Sequence, residues 1–183
     1  MNLDQEKDLV DRAKNSSEAF GELYNVYYDQ IFGYALRRIA DIDVAKDITS
    51  EVFFKALKNI GEFQWRGVSY SHWLYRIANR EILDHYNKRK RETSYEVADA
   101  DNTALQEELI AAQNEINKHD EYLDLQSYIS KLPPKYQEVI TLKYFEDLSI
   151  AEITQILQKP EGTVKSLLHR GVEQLRKIME SQG

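Results

Sequence analysis

Residues 149–175 have the sequence SIAEITQILQKPEGTVKSLLHRGVEQL, which contains two amphipathic segments on either side of a tight turn. Ser149 stands three residues before Glu152, which is the spacing of a capping box at the start of a helix. Apolar residues then recur at steps of three and four until residues 158–160 interrupt them, and a longer helical segment begins at Glu161. This stretch predicts a helix-turn-helix unit.

The second segment places polar side chains opposite its apolar stripe. Such side chains exchange hydrogen bonds with phosphates and base edges when a helix enters the major groove of DNA. The candidate contacts are Glu161, Thr163, Lys165, Ser166, His169 and Arg170. An αα-hairpin within a helical bundle has the same helix spacing, so the pattern alone leaves that alternative open.

The rest of the chain is also typical of helices. The sequence has seven glycines and three prolines, and no segment shows the alternation of a strand. Three amphipathic helices are predicted before residue 91, with Asn15, Asp43 and Ser71 as their N-caps, and with Phe53 and Leu57 widening the apolar face of the second. The predicted fold class is all-α, with two small helical domains.

Acidic residues are concentrated in one segment. Residues 92–124 contain ten acidic residues and one lysine, a local net charge of −9. Because the whole chain carries −7, the remainder carries +2, so the acidic total does not exclude a nucleic-acid partner. We predict domains at residues 1–91 and 122–183, joined by an acidic linker of residues 92–121 that is partly helical from about 103 to 117.

A second candidate site combines aromatic and cationic side chains. Bases of single-stranded nucleic acid stack on aromatic rings, at about 1–3 kcal/mol each, while Arg and Lys follow the phosphates. The candidates are Phe63, Trp65, Arg66, Tyr70, His72, Trp73, Arg76, Asn79, Arg80 and Lys88. The alternative is that rings such as Trp73 belong to the core, and the spacing favours neither interpretation.

Two carboxylates, Asp47 and Glu51, lie four residues apart on one face of the predicted second helix. Paired carboxylates can act as general acid and base, but no nucleophile or cluster of metal ligands accompanies them in the sequence. We therefore predict no catalysis here, and either a solvated face or an acidic surface for a basic partner helix.

Composition and motifs exclude several kinds of functional site. The chain has no cysteine, which excludes disulfides and thiolate metal sites. It also lacks a glycine-rich phosphate loop and the HExxH and G-x-S-x-G motifs. We predict no catalytic residue, no metal site and no cofactor. Without a signal-peptide pattern or a run of about 18 apolar residues, we predict a cytoplasmic protein that does not insert into a membrane.

Two stretches together resemble the extracytoplasmic-function sigma factors of the sigma-70 family. Their conserved region 2 is similar to residues 43–91, DVAKDITSEVFFKALKNIGEFQWRG…SHWLYRIANREILDHYNKRKR. Their region 4 is similar to residues 132–177, LPPKYQEVITLKYFEDLSIAEITQILQKPEGTVKSLLHRGVEQLRK. The order of the two regions and the acidic segment between them match the family as well.

The resemblance implies a protein that directs core RNA polymerase to promoter DNA and helps to open it, under the control of an anti-sigma factor. It implies that the second predicted helix docks on the polymerase's largest subunit through Asp47, Ser50, Glu51 and Lys55. The aromatic and cationic candidates then recognise the minus-10 element and capture an unstacked base. The helix-turn-helix candidates recognise the minus-35 element, and the acidic linker imitates nucleic acid inside the polymerase.

The sequence departs from the family at two places. The family often has arginine where this chain has Leu167 and Val172, which predicts weaker phosphate contacts at minus-35. The family's Arg-Asn pair is replaced by Asn79-Arg80. An autonomous helix-turn-helix regulator, which binds duplex DNA tightly without polymerase, remains an alternative, as does a helical adaptor whose binding does not depend on salt.

Overall fold

The computed structural model describes residues 1–95 and 120–182, and every regular element within these ranges is a helix. The elements before the gap are α1 (Leu3–Ala13), α2 (Ser17–Ile39), α3 (Ile42–Asn59), a 3-10 turn (Ile60–Glu62) and α4 (Tyr70–Tyr95). Those after it are α5 (Asp120–Ser130), α6 (Pro134–Tyr144), α7 (Ile150–Leu157) and α8 (Glu161–Gln182). The all-α prediction is confirmed, whereas the helix predicted near residues 103–117 lies outside the described residues.

The long helix α2 is the centre of the first helical group, because it packs against α1, α3 and α4. Its side chains Leu23 and Ile31 are fully buried, as are Val52 of α3 and Leu74 of α4. The second group packs α6 and α7 against α8. None of the described helices combines the length and apolar character needed to cross a membrane.

Helix starts differ from the predictions by one or two residues. The N-caps are Ser16 for α2 rather than Asn15, and Asp41 for α3 rather than Asp43. In both cases the side chain of the residue before the first turn accepts a hydrogen bond from the backbone N–H three residues later, which is the geometry of an N-cap. At α7 the predicted capping box of Ser149 is confirmed.

The first helix, α1, is absent from the sequence predictions. Asn2 accepts a hydrogen bond from the Gln5 N–H at 2.9 Å, and the Gln5 side chain accepts one from the Asn2 N–H at 3.1 Å. This reciprocal pair is a capping box, and it is the signal from which α1 can be recognised. Leu9 and Val10 then bury the inner face of α1 against α2.

The two helical groups contact each other through polar side chains. Glu146, which follows α6, has its carboxylate buried and accepts hydrogen bonds from Arg37 of α2 and Tyr75 of α4. Gln126 of α5 donates to the Leu36 carbonyl at 3.1 Å. Burial next to this carboxylate raises the pKa of the Tyr75 hydroxyl, so Tyr75 remains a hydrogen-bond donor at neutral pH.

A buried ion pair inside the second group gives a stability prediction. Glu138 of α6 is 2% exposed and accepts from Lys159 Nζ at 2.8 Å. We expect Lys159→Ala to lower the free energy of unfolding by about 2 kcal/mol, because it leaves a buried carboxylate without its cation. Urea denaturation measures the change, with Lys165→Ala as a control that removes an exposed ion pair and should cost much less. Equal losses for the two variants would contradict the prediction.

Candidate nucleic-acid interface

A cluster of aromatic rings forms where residues 63–69 lead into α4. The Phe63 ring centroid lies 5.1 Å from that of Tyr70, 5.2 Å from that of Trp73 and 6.4 Å from that of Trp65. Tyr70 is buried at the base of the cluster, while the other three rings are partly exposed. The cluster therefore offers ring surface to a base while its inner side is held by the core.

The backbone of the loop requires a glycine at one position. Gly67 has φ 74°, in the left-handed region that other residues adopt only with strain. A Cβ at this position would meet no atom within 4 Å, so the requirement comes from backbone conformation and not from lack of space.

Two clefts lie on either side of the cluster, and Phe63 and Trp73 line both of them. A cavity of about 940 Å³ separates the loop from the turn after α7 and is lined by Arg66 and Arg76. A second cavity of about 480 Å³ lies between α3 and α4 and is lined by Arg80 together with the carboxylates of Glu62, Glu81 and Asp84. The rings thus stand between two spaces that each contain arginine.

Arg66 and Arg80 both act on Arg76. Burial lowers the pKa of Arg76, and the neighbouring cations Arg80 and Arg66 lower it further, while no carboxylate of the described residues opposes this shift. A group of like charges of this kind is stabilised by a bound anion such as a phosphate. We call the exposed parts of Phe63, Trp65, Arg66, Trp73, Arg76 and Arg80 the aromatic–cationic surface.

Two other predicted contacts of this region, His72 and Asn79, lie inside the protein, whereas a third, Lys88, does not. His72 is buried, and burial lowers its pKa although Glu152 Oε1 lies 3.4 Å from its Nε2. Asn79 is also buried, and its Oδ1 accepts from the Arg38 guanidinium at 2.6 Å. Lys88 is exposed. The predicted DNA-contacting roles of these residues and of Tyr70 stay predictions.

The start of α4 corrects one predicted cap. The helix begins at Tyr70, so Ser71 lies in its first turn. Ser69 precedes the helix instead, and its Oγ accepts from the Ser71 N–H at 3.2 Å. The hydroxyl that caps the backbone is therefore that of Ser69.

All six helix-turn-helix candidates are exposed on α8, whereas Val164 and Leu168 of the same helix are buried. We call this set the recognition face: Glu161, Thr163, Lys165, Ser166, His169 and Arg170. Lys165 Nζ lies 2.5 Å from Glu161 Oε1, and this contact lowers the pKa of the Glu161 carboxyl. Lys165 is thus already paired with a carboxylate, whereas Arg170 makes no ion pair with any of the residues that the structure describes.

Leu167 and Val172, two of the positions at which this chain departs from the family pattern, are half-buried in α8. Leu167 packs against the hydrophobic core, and Val172 is partly covered. Leu167 thus widens the buried stripe of α8 at a position where the family often has arginine.

On α3, Asp47, Ser50 and Glu51 are exposed, but Lys55 is engaged within the protein. Lys55 Nζ lies 2.6 Å from Glu81 Oε1 on α4 and 3.7 Å from Glu51 Oε1. The hydrogen bond to Glu81 raises the pKa of Lys55. Its predicted role at the polymerase remains a prediction.

Two apolar residues on α3 are functional candidates that the sequence patterns did not indicate. Phe54 is 61% exposed and Leu57 is 48% exposed. The predicted widening of the buried face is confirmed for Phe53, whereas Leu57 is too exposed to belong to the buried stripe that includes Val52, Phe53 and Ala56. The sequence did contain a signal for this surface, because Phe54 is a large apolar residue that lies outside the apolar stripe of α3. Asp47, Ser50, Glu51, Phe54 and Leu57 together are called the α3 face.

Comparisons with known proteins match both helical groups. A family model described as "Sigma-70 region 2" matches residues 23–92, and one described as "Sigma-70, region 4" matches residues 122–175. The ECF RNA polymerase sigma factor SigW of Bacillus subtilis is 35% identical over 170 residues, covering 90% of each chain. The RNA polymerase sigma-H factor of Pseudomonas aeruginosa is 30% identical over 188 residues, covering 97% of this chain and 95% of its own.

Two solved structures share the fold. CnrH, in complex with the cytosolic domain of CnrY, has a TM-score of 0.71 at 19% identity, over 97% of this chain and 99% of its own. The sigma factor RpoE from Bartonella quintana, in complex with the anti-sigma factor NepR, has a TM-score of 0.68 at 20% identity, over 88% and 96% of the two chains.

Proposed function

The chain belongs to the extracytoplasmic-function sigma factors of the sigma-70 family, and on this premise we propose how its surfaces divide the work of initiating transcription at specific promoters. One observation carries the proposal. A single chain combines the aromatic–cationic surface, which suits a single strand, with the recognition face, which suits duplex DNA. The first surface reads the minus-10 element and the second reads the minus-35 element.

At minus-10, strand capture offsets the cost of opening the duplex. Unstacking costs a few kcal/mol per step, and a base that stacks on an aromatic ring recovers about 1–3 kcal/mol. Trp65 and Trp73 are partly exposed and supply the rings. Arg66 and Arg76, on the wall of the larger cleft, hold the phosphates of the same strand.

Core polymerase binds to the α3 face. Asp47 and Glu51 supply negative charge toward a basic partner, and Phe54 and Leu57 supply apolar contact area next to it. Apolar anchors beside charged residues are the usual arrangement of a specific protein interface. Membership of the family supports this assignment.

At minus-35, Arg170 contributes the main phosphate or base contact of the recognition face. We expect Arg170→Ala to weaken binding of a minus-35 duplex by the holoenzyme about tenfold, and to reduce the slope of log affinity against log salt by about one. Titration with a labelled duplex at several salt concentrations measures both values. Lys177→Ala, an exposed cation in a later turn of α8, is the control that should leave them unchanged. Equal effects of the two substitutions would contradict the assignment.

The protein acts without catalysis of its own, in the cytoplasm, and with no cofactor. We propose that residues 1–91 form the region 2 domain, residues 92–121 the linker and residues 122–183 the region 4 domain. The ends of the two family matches, at residues 92 and 122, support this division. An anti-sigma factor holds the protein inactive, as the complex of the related RpoE with NepR supports.

Affinity purification from native cells tests these assignments together. Core polymerase subunits should copurify with the tagged full chain, and an anti-sigma factor should replace them before induction. Tight binding of promoter duplex by the free protein, with no polymerase in the eluate, would favour an autonomous regulator instead.

A further inference from the structure

A carboxylate in the first helix is buried and held by hydrogen bonds from uncharged donors. Glu6 of α1 is 4% exposed. One of its oxygens, Oε1, accepts hydrogen bonds from the Tyr27 hydroxyl, from Ser69 Oγ at 2.9 Å and from the Tyr70 backbone N–H at 2.6 Å. The donors come from α2 and from the start of α4, which is more than sixty residues away in the sequence.

Two helix N-termini stabilise this buried charge. Glu6 lies in the first turn of α1, and its carboxylate also meets the N–H of Tyr70, the first residue of α4. Each helix N-terminus carries a partial positive charge, so a carboxylate between them is favoured without an ion pair. The hydrogen bond to Glu6, after burial, also raises the pKa of Tyr27, which keeps that hydroxyl a donor.

The same contact fixes the base of the aromatic cluster. Ser69 Oγ donates to Glu6 while accepting from the Ser71 N–H, so both the last residue of the loop and the first turn of α4 are held. The Tyr70 ring lies 5.1 Å from Phe63 and 5.3 Å from Trp73, measured between centroids. A shift of Tyr70 therefore moves the rings that line both clefts.

We propose that Glu6 is a positioning residue for strand capture at minus-10, which acts by holding Ser69 and Tyr70 and so orients Phe63 and Trp73. The proposal rests on the proposed function of the aromatic–cationic surface. Glu6 lies on none of the three surfaces defined above, so its influence on promoter opening passes through the start of α4.

The test compares three variants of the full chain. Glu6→Met removes every acceptor at similar size, and Glu6→Gln keeps an acceptor oxygen but removes the charge. Glu22→Gln is the matched control, because Glu22 is an exposed carboxylate paired with Arg12. Core affinity and the rate of open-complex formation are measured for each holoenzyme. Tryptophan fluorescence reports the cluster directly, because Trp65 and Trp73 are the two tryptophans of the chain.

We expect Glu6→Met to slow open-complex formation at least about tenfold and Glu6→Gln about threefold, with core affinity within about twofold of wild type. Emission should shift to the red and acrylamide quenching should increase in the same order, while Glu22→Gln changes nothing. A template with a pre-melted minus-10 segment should recover part of the rate, because the cost of opening is removed.

A parallel loss of core affinity and opening rate would show a general loss of folding and overturn the proposal, as would unchanged opening in Glu6→Met. If the wild-type protein itself gives no promoter-specific opening, the proposed function fails, and the role of Glu6 in strand capture fails with it. The fluorescence of the variants then still decides whether Glu6 fixes the aromatic cluster.

Discussion

The double substitution Asp47→Lys and Glu51→Lys is expected to lower the affinity for core polymerase by at least about 100-fold. Each reversal replaces an attraction to a basic partner by a repulsion, and like charges brought together at an interface cost several kcal/mol. A loss of about 1.4 kcal/mol in binding free energy lowers the affinity tenfold. Both side chains are exposed, so the fold should tolerate the change. Fluorescence anisotropy with purified core measures the affinity.

The control for this experiment is Asp8→Lys with Asp11→Lys, which changes the net charge equally on an exposed part of α1. That variant should bind core polymerase as the wild type does. If both double variants weaken binding equally, the effect is a general one of charge and the α3 face is not the docking surface. Phe54→Ala should weaken binding further, because it removes the exposed apolar side chain beside the carboxylates.

The double substitution Arg66→Ala and Arg76→Ala is expected to lower the yield of open complexes about 100-fold while leaving core affinity unchanged. Each substitution removes one charge-assisted hydrogen bond to the captured strand, worth about 1.5–3 kcal/mol, and water and counterions recover some of this energy. The slope of log affinity against log salt for single strands should fall by about 0.7 for each arginine that is replaced. Permanganate footprinting of the melted region measures opening.

Lys7→Ala with Lys14→Ala is the matched control, because it also removes two cations. Lys7 lies in α1 and Lys14 directly follows it, and neither residue lines a cleft. The arginine variant should keep the tryptophan fluorescence of the wild type, in contrast to Glu6→Met. Normal opening by the arginine variant would contradict the role assigned to the aromatic–cationic surface.

Local sequence patterns predicted the features that depend on neighbours in the chain. The capping box at Ser149 and the exposure of the recognition face both follow from helical periodicity within a few residues. The predicted N-caps of α2 and α3 are one and two residues away from the observed ones. Asn15 and Asp43 are as suitable chemically as Ser16 and Asp41, and packing decides where the first turn begins.

Contacts between distant residues could not be predicted in this way. Asn79 is chemically suited to bind a base, yet in the structure its side chain accepts from Arg38, forty-one residues earlier. Glu6 is one of many acidic residues of the sequence, and only the folded chain brings it to Tyr70. Polar residues become buried where tertiary structure supplies partners, and composition does not show which ones.

Transcription in vitro with purified core polymerase tests the central claim most directly. Genomic fragments of the source organism are transcribed with core alone, with core and the wild-type protein, and with core and the Asp47→Lys, Glu51→Lys variant. We predict discrete transcripts from a small set of promoters only when the wild-type protein is present. The absence of any promoter-specific transcript with the wild-type protein, or the same transcripts with core alone, would contradict the account.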